Sequence, residues 1–142
     1  MFVGSRDEAR QFFVEVWRKL EAGSPLAPLE HLVGQVIRAH PEYHPLLAAP
    51  VRALAHDDGG DDARANPFLH MGLHIALAEQ LQTDRPPGIL ALYQRLLRQE
   101  GDAHAADHCV MDCLARALAG AAGSGRPPDE QAYLASVRRH LT

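Results

Sequence analysis

Along most of the chain the apolar residues recur at intervals of three and four, the period that puts them on one side of a helix. Phe12, Phe13, Val16, Trp17 and Leu20 make the first such stripe. Ser5 and Glu8 have capping-box spacing, which opens this helix near Arg6, and Gly23 with Pro25 ends it. A second stripe of Leu29, Leu32, Val33, Val36 and Ile37 is continued by His40, where Pro41 disfavours further helix. The following segment, His40-Pro41-Glu42-Tyr43-His44-Pro45, reads as a tight joint in which Pro41 can open a short helical turn. The Asp- and Gly-rich stretch from His56 to Arg64 reads as a solvated loop.

Asn66-Pro67 has the form of an N-cap followed by a first-turn proline and predicts a helix to about Gln82. Asp84 is expected to cap a proline-opened helix carrying Ile89, Leu92, Tyr93 and Leu96, closed by Gly101. Asp102 can cap a further helix to about Ala122, and Ser124 to Pro128 forms a turn before Tyr133, Leu134, Val137 and Leu141. No segment alternates as a strand would. The pattern predicts an all-α protein, a single compact helical bundle of about five to six helices forming one domain over 1–142.

The length of 142 residues with 46% hydrophobic content suits one core of this kind. A net charge of −4, with Lys and Arg scattered, provides no basic stripe for a phosphate backbone, so nucleic acid is not an expected partner. The charged N-terminal segment does not resemble a signal peptide, and no apolar run approaches a membrane span. Cys109 and Cys113 stand four apart on one expected helix, too local for a disulfide framework, and the combination implies a cytoplasmic protein without a membrane partner.

What changes the picture is the number of histidines, nine in so short a chain. At about 100° per residue, His70 and His74 fall within about 40° of one another, on the side of Leu73, Leu77 and Leu81. His104 and His108 repeat the arrangement, with Asp107, Met111, Leu114 and Leu118 on their face, so both pairs are expected to point into the bundle. Paired imidazoles one turn apart can grip one metal ion, and burying four of them without partners would cost on the order of 1–3 kcal/mol per unmet nitrogen. His40 at the end of the second stripe, with Glu42 and His44 behind it, adds two imidazoles and a carboxylate. The candidate metal ligands are therefore His40, Glu42, His44, His70, His74, His104, Asp107 and His108, enough for two ions.

Other residues weigh less. Glu79 lies about 110–140° round the helix from the His70/His74 pair and is better suited to a salt bridge, while Asp107 and Asp112 can ligate or orient an imidazole. Cys109 and Cys113 fall on the side opposite Leu118 and read as small buried residues. His56-Asp57 lies in the acidic loop without a flanking helical pattern, and His31 and His140 read as solvated. Periodicity does not place Tyr43 or Trp17.

The segments Asn66-Pro67-Phe68-Leu69-His70 with Leu73-His74 and Glu79-Gln80, Gly101-Asp102 with His104 and Asp107-His108, and Cys113-Leu114 resemble an uncharacterised bacterial family, the domain of unknown function 1841. Ser5-Arg6-Asp7, the joint from His40 to His44, and Arg126-Pro127-Pro128-Asp129 also match, so the resemblance covers nearly the whole chain. It implies relatives and no activity. The architecture is similar by analogy alone to hemerythrin-like bundles, which hold two irons, and to DinB-like bundles, which hold one metal with three histidines.

Histidine-rich donors with few carboxylates suit iron, zinc, nickel or copper and disfavour magnesium and calcium. The reading favours a transition-metal site, iron ahead of zinc, with two ions handling oxygen, peroxide or a similar small molecule. A metal-dependent hydrolase with Glu42 or Asp107 as general base and a zinc-stapled interaction module are the alternatives, with haem between paired histidines a further one.

Overall fold

The computed structural model describes residues 6–49 and 66–142, with side chains from residue 8 onward. Ser5, the proposed opening cap, and the His56-Asp57 pair with its acidic loop lie outside the described residues. Seven α-helices and one 3-10 turn are present among the described residues, and no strand. The helices are α1 (Arg6–Ala22), α2 (Pro28–Arg38), α3 (His44–Leu47), α4 (Pro67–Thr83), α5 (Ile89–Glu100), α6 (Ala103–Ala121) and α7 (Glu130–Arg138), with the 3-10 turn at Pro41–Tyr43. The count exceeds expectation because the proline-bracketed joint adds the single-turn α3. None of these helices is long and apolar enough to cross a membrane.

The described chain groups into two compact units, Met1–Ile75 and Ala76–Thr142, the boundary falling inside α4. In the first unit α1 packs on α2 and α3. Its core joins Phe13 and Val16 of α1 to Val33, Val36 and Ile37 of α2, with Leu47, Phe68, Met71 and Ile75. Leu29 departs from the expected stripe and is exposed. It stands in the first turn of α2, where Glu30 Oε1 accepts the Ala27 N–H at 2.8 Å and Glu30 Oε2 takes the Lys19 ammonium at 2.7 Å. Arg10, placed by no sequence rule, is buried with its guanidinium 4.7 Å above the Phe68 ring, a cation–π arrangement.

In the second unit α6 packs against α5 and α7 around Ile89, Leu92, Leu96, Val110, Leu114, Leu134 and Val137. Asp102 acts as the expected cap, and Asp129 is a further one. Asp102 accepts the Ala105 N–H at 3.1 Å and Asp129 accepts the Ala132 N–H at 3.0 Å. Gly101, at φ +70°, closes α5 through its N–H to the Leu97 carbonyl, a conformation that favours glycine. Asp84 behaves differently from expectation. Its Oδ1 accepts from the N–H groups of Gly88 and Leu90 and braces the loop ahead of α5, which begins only at Ile89.

Candidate metal centre

The site is assembled from the end of α2 and the first turns of α4. Asn66 caps α4, its Oδ1 accepting the Leu69 N–H at 3.0 Å, and so sets the rotation of the turns that carry His70 and His74. The two imidazoles face one another edge to face, 4.9 Å between ring centroids. Past the end of α2 the chain leaves helical geometry at His40, with φ −125° and ψ 67° as Pro41 requires, and swings that ring over the pair. His40 stands 5.1 Å from His70 and 4.7 Å from His74, centroid to centroid.

Each of these three residues offers one ligand nitrogen, and the nitrogens all lie within 4.8 Å of one another. His40 is 4% exposed, and the other two are half-buried. The proton on His40 is fixed by its surroundings. Nδ1 lies 2.8 Å from the Val36 carbonyl oxygen, which can only accept, so Nδ1 carries the hydrogen and Nε2 the lone pair of the neutral ring. Nε2 is buried and has no hydrogen-bond partner. Tyr43 stacks flat on the outer face of His40, with centroids 5.5 Å apart and planes 5° from parallel, and also meets His70 edge-on at 6.3 Å. Burial, with a smaller contribution from the Glu42 carboxylate, pushes the Tyr43 phenol above its ordinary value.

The remaining sequence candidates take other positions. Glu42 is exposed on the 3-10 turn. His44 is half-buried, its Nε2 donating to the Ile37 carbonyl at 2.8 Å and its ring 4.5 Å from that of Trp17. Neither belongs to the three-nitrogen group. His104, His108 and Asp107 lie in the second unit, and α6 is turned from the orientation the sequence pattern suggested. Its buried face runs through Ala106, Val110, Met111, Cys113 and Leu114, so Met111 and Leu114 of the expected stripe are inside while His104 and Leu118 are exposed and His108 is half-buried. The rings of His104 and His108 are 4.0 Å apart, while Asp107 accepts the Tyr93 hydroxyl at 2.5 Å. Asp112, His31 and His140 are exposed. Glu79 makes no salt bridge among the described residues, and its Oε1 is buried without a hydrogen-bond partner. Cys113 is buried as expected, and Cys109 is half-buried with its thiol pushed up, chiefly by burial.

The family model described as Domain of unknown function (DUF1841) matches residues 5–139. The chain belongs to this family. Comparison with curated proteins found no match, and comparison with solved structures found none either. Membership in DUF1841 thus gives the chain relatives, and its chemistry has to be argued from the three histidines themselves. What sequence reasoning missed here is the backbone carbonyl of Val36, which orients His40. A helix end interrupted by His-Pro was its signal, because the carbonyl four residues before His40 is left without a helical N–H.

Proposed function

We propose that this DUF1841 protein binds a transition-metal ion through His40, His70 and His74. The observation that carries the reading is His40, a buried imidazole with one nitrogen held by a main-chain carbonyl and the other bare and turned among two more histidines. A carbonyl fixing the far nitrogen of a ligating histidine is the usual outer support of such sites, and it makes the ligand nitrogen more basic. Nitrogens around a tetrahedral ion with bonds of about 2.0–2.1 Å stand roughly 3.3 Å apart. Separations of at most 4.8 Å therefore need only small side-chain rotations to close on an ion.

The same group supports one ion rather than the pair that eight candidate ligands suggested. Three imidazoles with no carboxylate among them suit zinc, copper or nickel as well as iron, and move weight from iron towards zinc. Three protein ligands leave a coordination position for water or a small molecule, where a bound ion supplies Lewis acidity. This favours small-molecule binding or hydrolysis over a closed structural staple.

Elemental analysis of protein purified without a polyhistidine tag tests the reading, joined to titration of the metal-free chain with Zn2+. One equivalent of metal is expected, falling to a tenth or less in both His40→Ala and His70→Ala. Stoichiometry unchanged in these folded variants, or no uptake by the natural chain, would overturn it.

A further inference from the structure

The second unit contains a groove of about 490 Å³ between the end of α6, the following turn and α7. That volume lies within the range of roughly 300–1,000 Å³ common to small-molecule sites. Three arginines line it, Arg116 from α6, Arg126 from the turn and Arg139 from just beyond α7. None of the three is paired with a carboxylate among the described residues. Asp129 also lines the groove, with its Oδ1 engaged as the cap of α7. A chain carrying net charge −4 thus concentrates three cations against one anion around a single concavity.

One of the arginines and the turn that carries another are held in place. Arg116 Nη2 donates to Cys113 Sγ at 3.6 Å. The turn is pinned by Ser124, whose hydroxyl donates to the Ala121 carbonyl at 2.7 Å and accepts the Arg126 N–H at 3.1 Å. The wall between the charges is apolar, formed by Ala117, Ala121, Pro127 and Tyr133. Tyr133 is buried, with its hydroxyl donating to Gln80 at 2.7 Å. Gly120 also lines the groove, and a Cβ there would meet nothing within 4 Å.

Guanidinium forks recognise phosphate and carboxylate through paired N–H donors, and a partly enclosed apolar wall strengthens such contacts relative to open water. We infer that this groove binds a small organic anion, with Arg116, Arg126 and Arg139 holding its phosphate or carboxylate and its apolar body lying along Ala117, Pro127 and Tyr133. The inference is independent of the metal centre, because its residues all belong to the second unit.

Amide-resolved NMR titration of the full chain with phenyl phosphate, benzoate, inorganic phosphate and benzyl alcohol tests it. Saturable shifts confined to residues 113–139 are expected for phenyl phosphate or benzoate, and the tighter of the two identifies the anionic group. Affinity for that compound should exceed that for inorganic phosphate or benzyl alcohol by about tenfold, since each lacks one half of the ligand. Arg126→Gln with Arg139→Gln should weaken it by about tenfold or more. Gly120→Glu, which adds a carboxylate at a lining position where the helix has room for a side chain, should weaken it by a similar factor or more. All three substitutions lie at exposed positions, and unchanged spectra elsewhere verify folding. Saturation by neither organic anion, or equal affinity in the variants, would overturn the inference.

Discussion

The His40 Nδ1 hydrogen points at the Val36 carbonyl, 2.8 Å away on the preceding turn, and this one bond determines which nitrogen His40 presents to His70 and His74. Without an ion, a buried Nε2 lacking a partner costs on the order of 1–3 kcal/mol. Binding removes that penalty, and at a thousandfold excess over Kd the total linkage stabilisation is about 4 kcal/mol. Zn2+ should therefore raise the melting temperature of the natural chain by roughly 10 °C or more. His40→Phe should abolish the response while leaving the metal-free chain about as stable as before. Thermal unfolding after EDTA treatment, with and without added Zn2+, checks both; a metal-dependent rise surviving in the variant would remove His40 from the site.

Acid should release the ion. Each ligating imidazole must be neutral, and imidazole ordinarily takes up its proton near pH 6.5, so protons and metal compete for the same lone pairs. Affinity is expected to fall as the pH is lowered from about 8 to about 5. Proton uptake should approach three per ion lost, one for each residue of the group. Equilibrium dialysis across this range measures the slope, and a flat profile would exclude histidine ligation.

The cap of α4 should matter to the metal as well as to the fold. Asn66→Ala removes the acceptor of the Leu69 N–H and should cost about 1 kcal/mol. It also loosens the turn that ends in His70, so metal affinity should fall several-fold. Asp102→Ala removes an equivalent cap from Ala105 and should cost similar stability with no loss of metal. Urea unfolding and Zn2+ titration of the two variants separate a local effect on the site from general destabilisation.

These caps show what could be read from the chain, because an N-cap depends on residues three apart and on nothing distant. The histidine pair on α4 was legible for the same reason, as was the swing at His40-Pro41. The rotation of α6 was not. Counting Met111, Leu114 and Leu118 as the stripe placed His104 and His108 inside, but the buried face adds Ala106, Val110 and Cys113 to Met111 and Leu114 and leaves Leu118 exposed. Small residues carry little weight in a hydrophobic pattern, yet they allow neighbouring helices to approach closely. The choice between two overlapping stripes was made by packing against α5 and α7, which local sequence does not record. The arginine groove escaped notice for a similar reason. Its three cations are 10 and 13 positions apart in sequence and converge only once α6 and α7 pack together.

Asp107, a candidate ligand by its position beside His108, accepts the Tyr93 hydroxyl at Oδ1, and this bond gives the second unit an alkaline signature. Burial, the hydrogen bond to Asp107 and the charge of that carboxylate all push the Tyr93 phenol well above its ordinary value. Tyr133 is pushed the same way, chiefly by burial and then by Cys113, against a smaller opposing effect of its bond to Gln80. Above about pH 10 the phenols of an unfolded chain lose their protons while the folded chain retains them, so stability must fall as pH rises. Below that pH the contribution is fully present. Tyr93→Phe should cost about 1 kcal/mol at neutral pH, a modest figure because the pair is only partly buried. It should also flatten the decline in stability above about pH 10, since one of the second unit's two raised phenols is gone. Urea unfolding at intervals from pH 8 to 11, with tyrosinate absorbance followed in parallel, reads both effects. If Tyr93→Phe left the alkaline slope unchanged, the phenol would be titrating freely and its bond to Asp107 would not persist in solution.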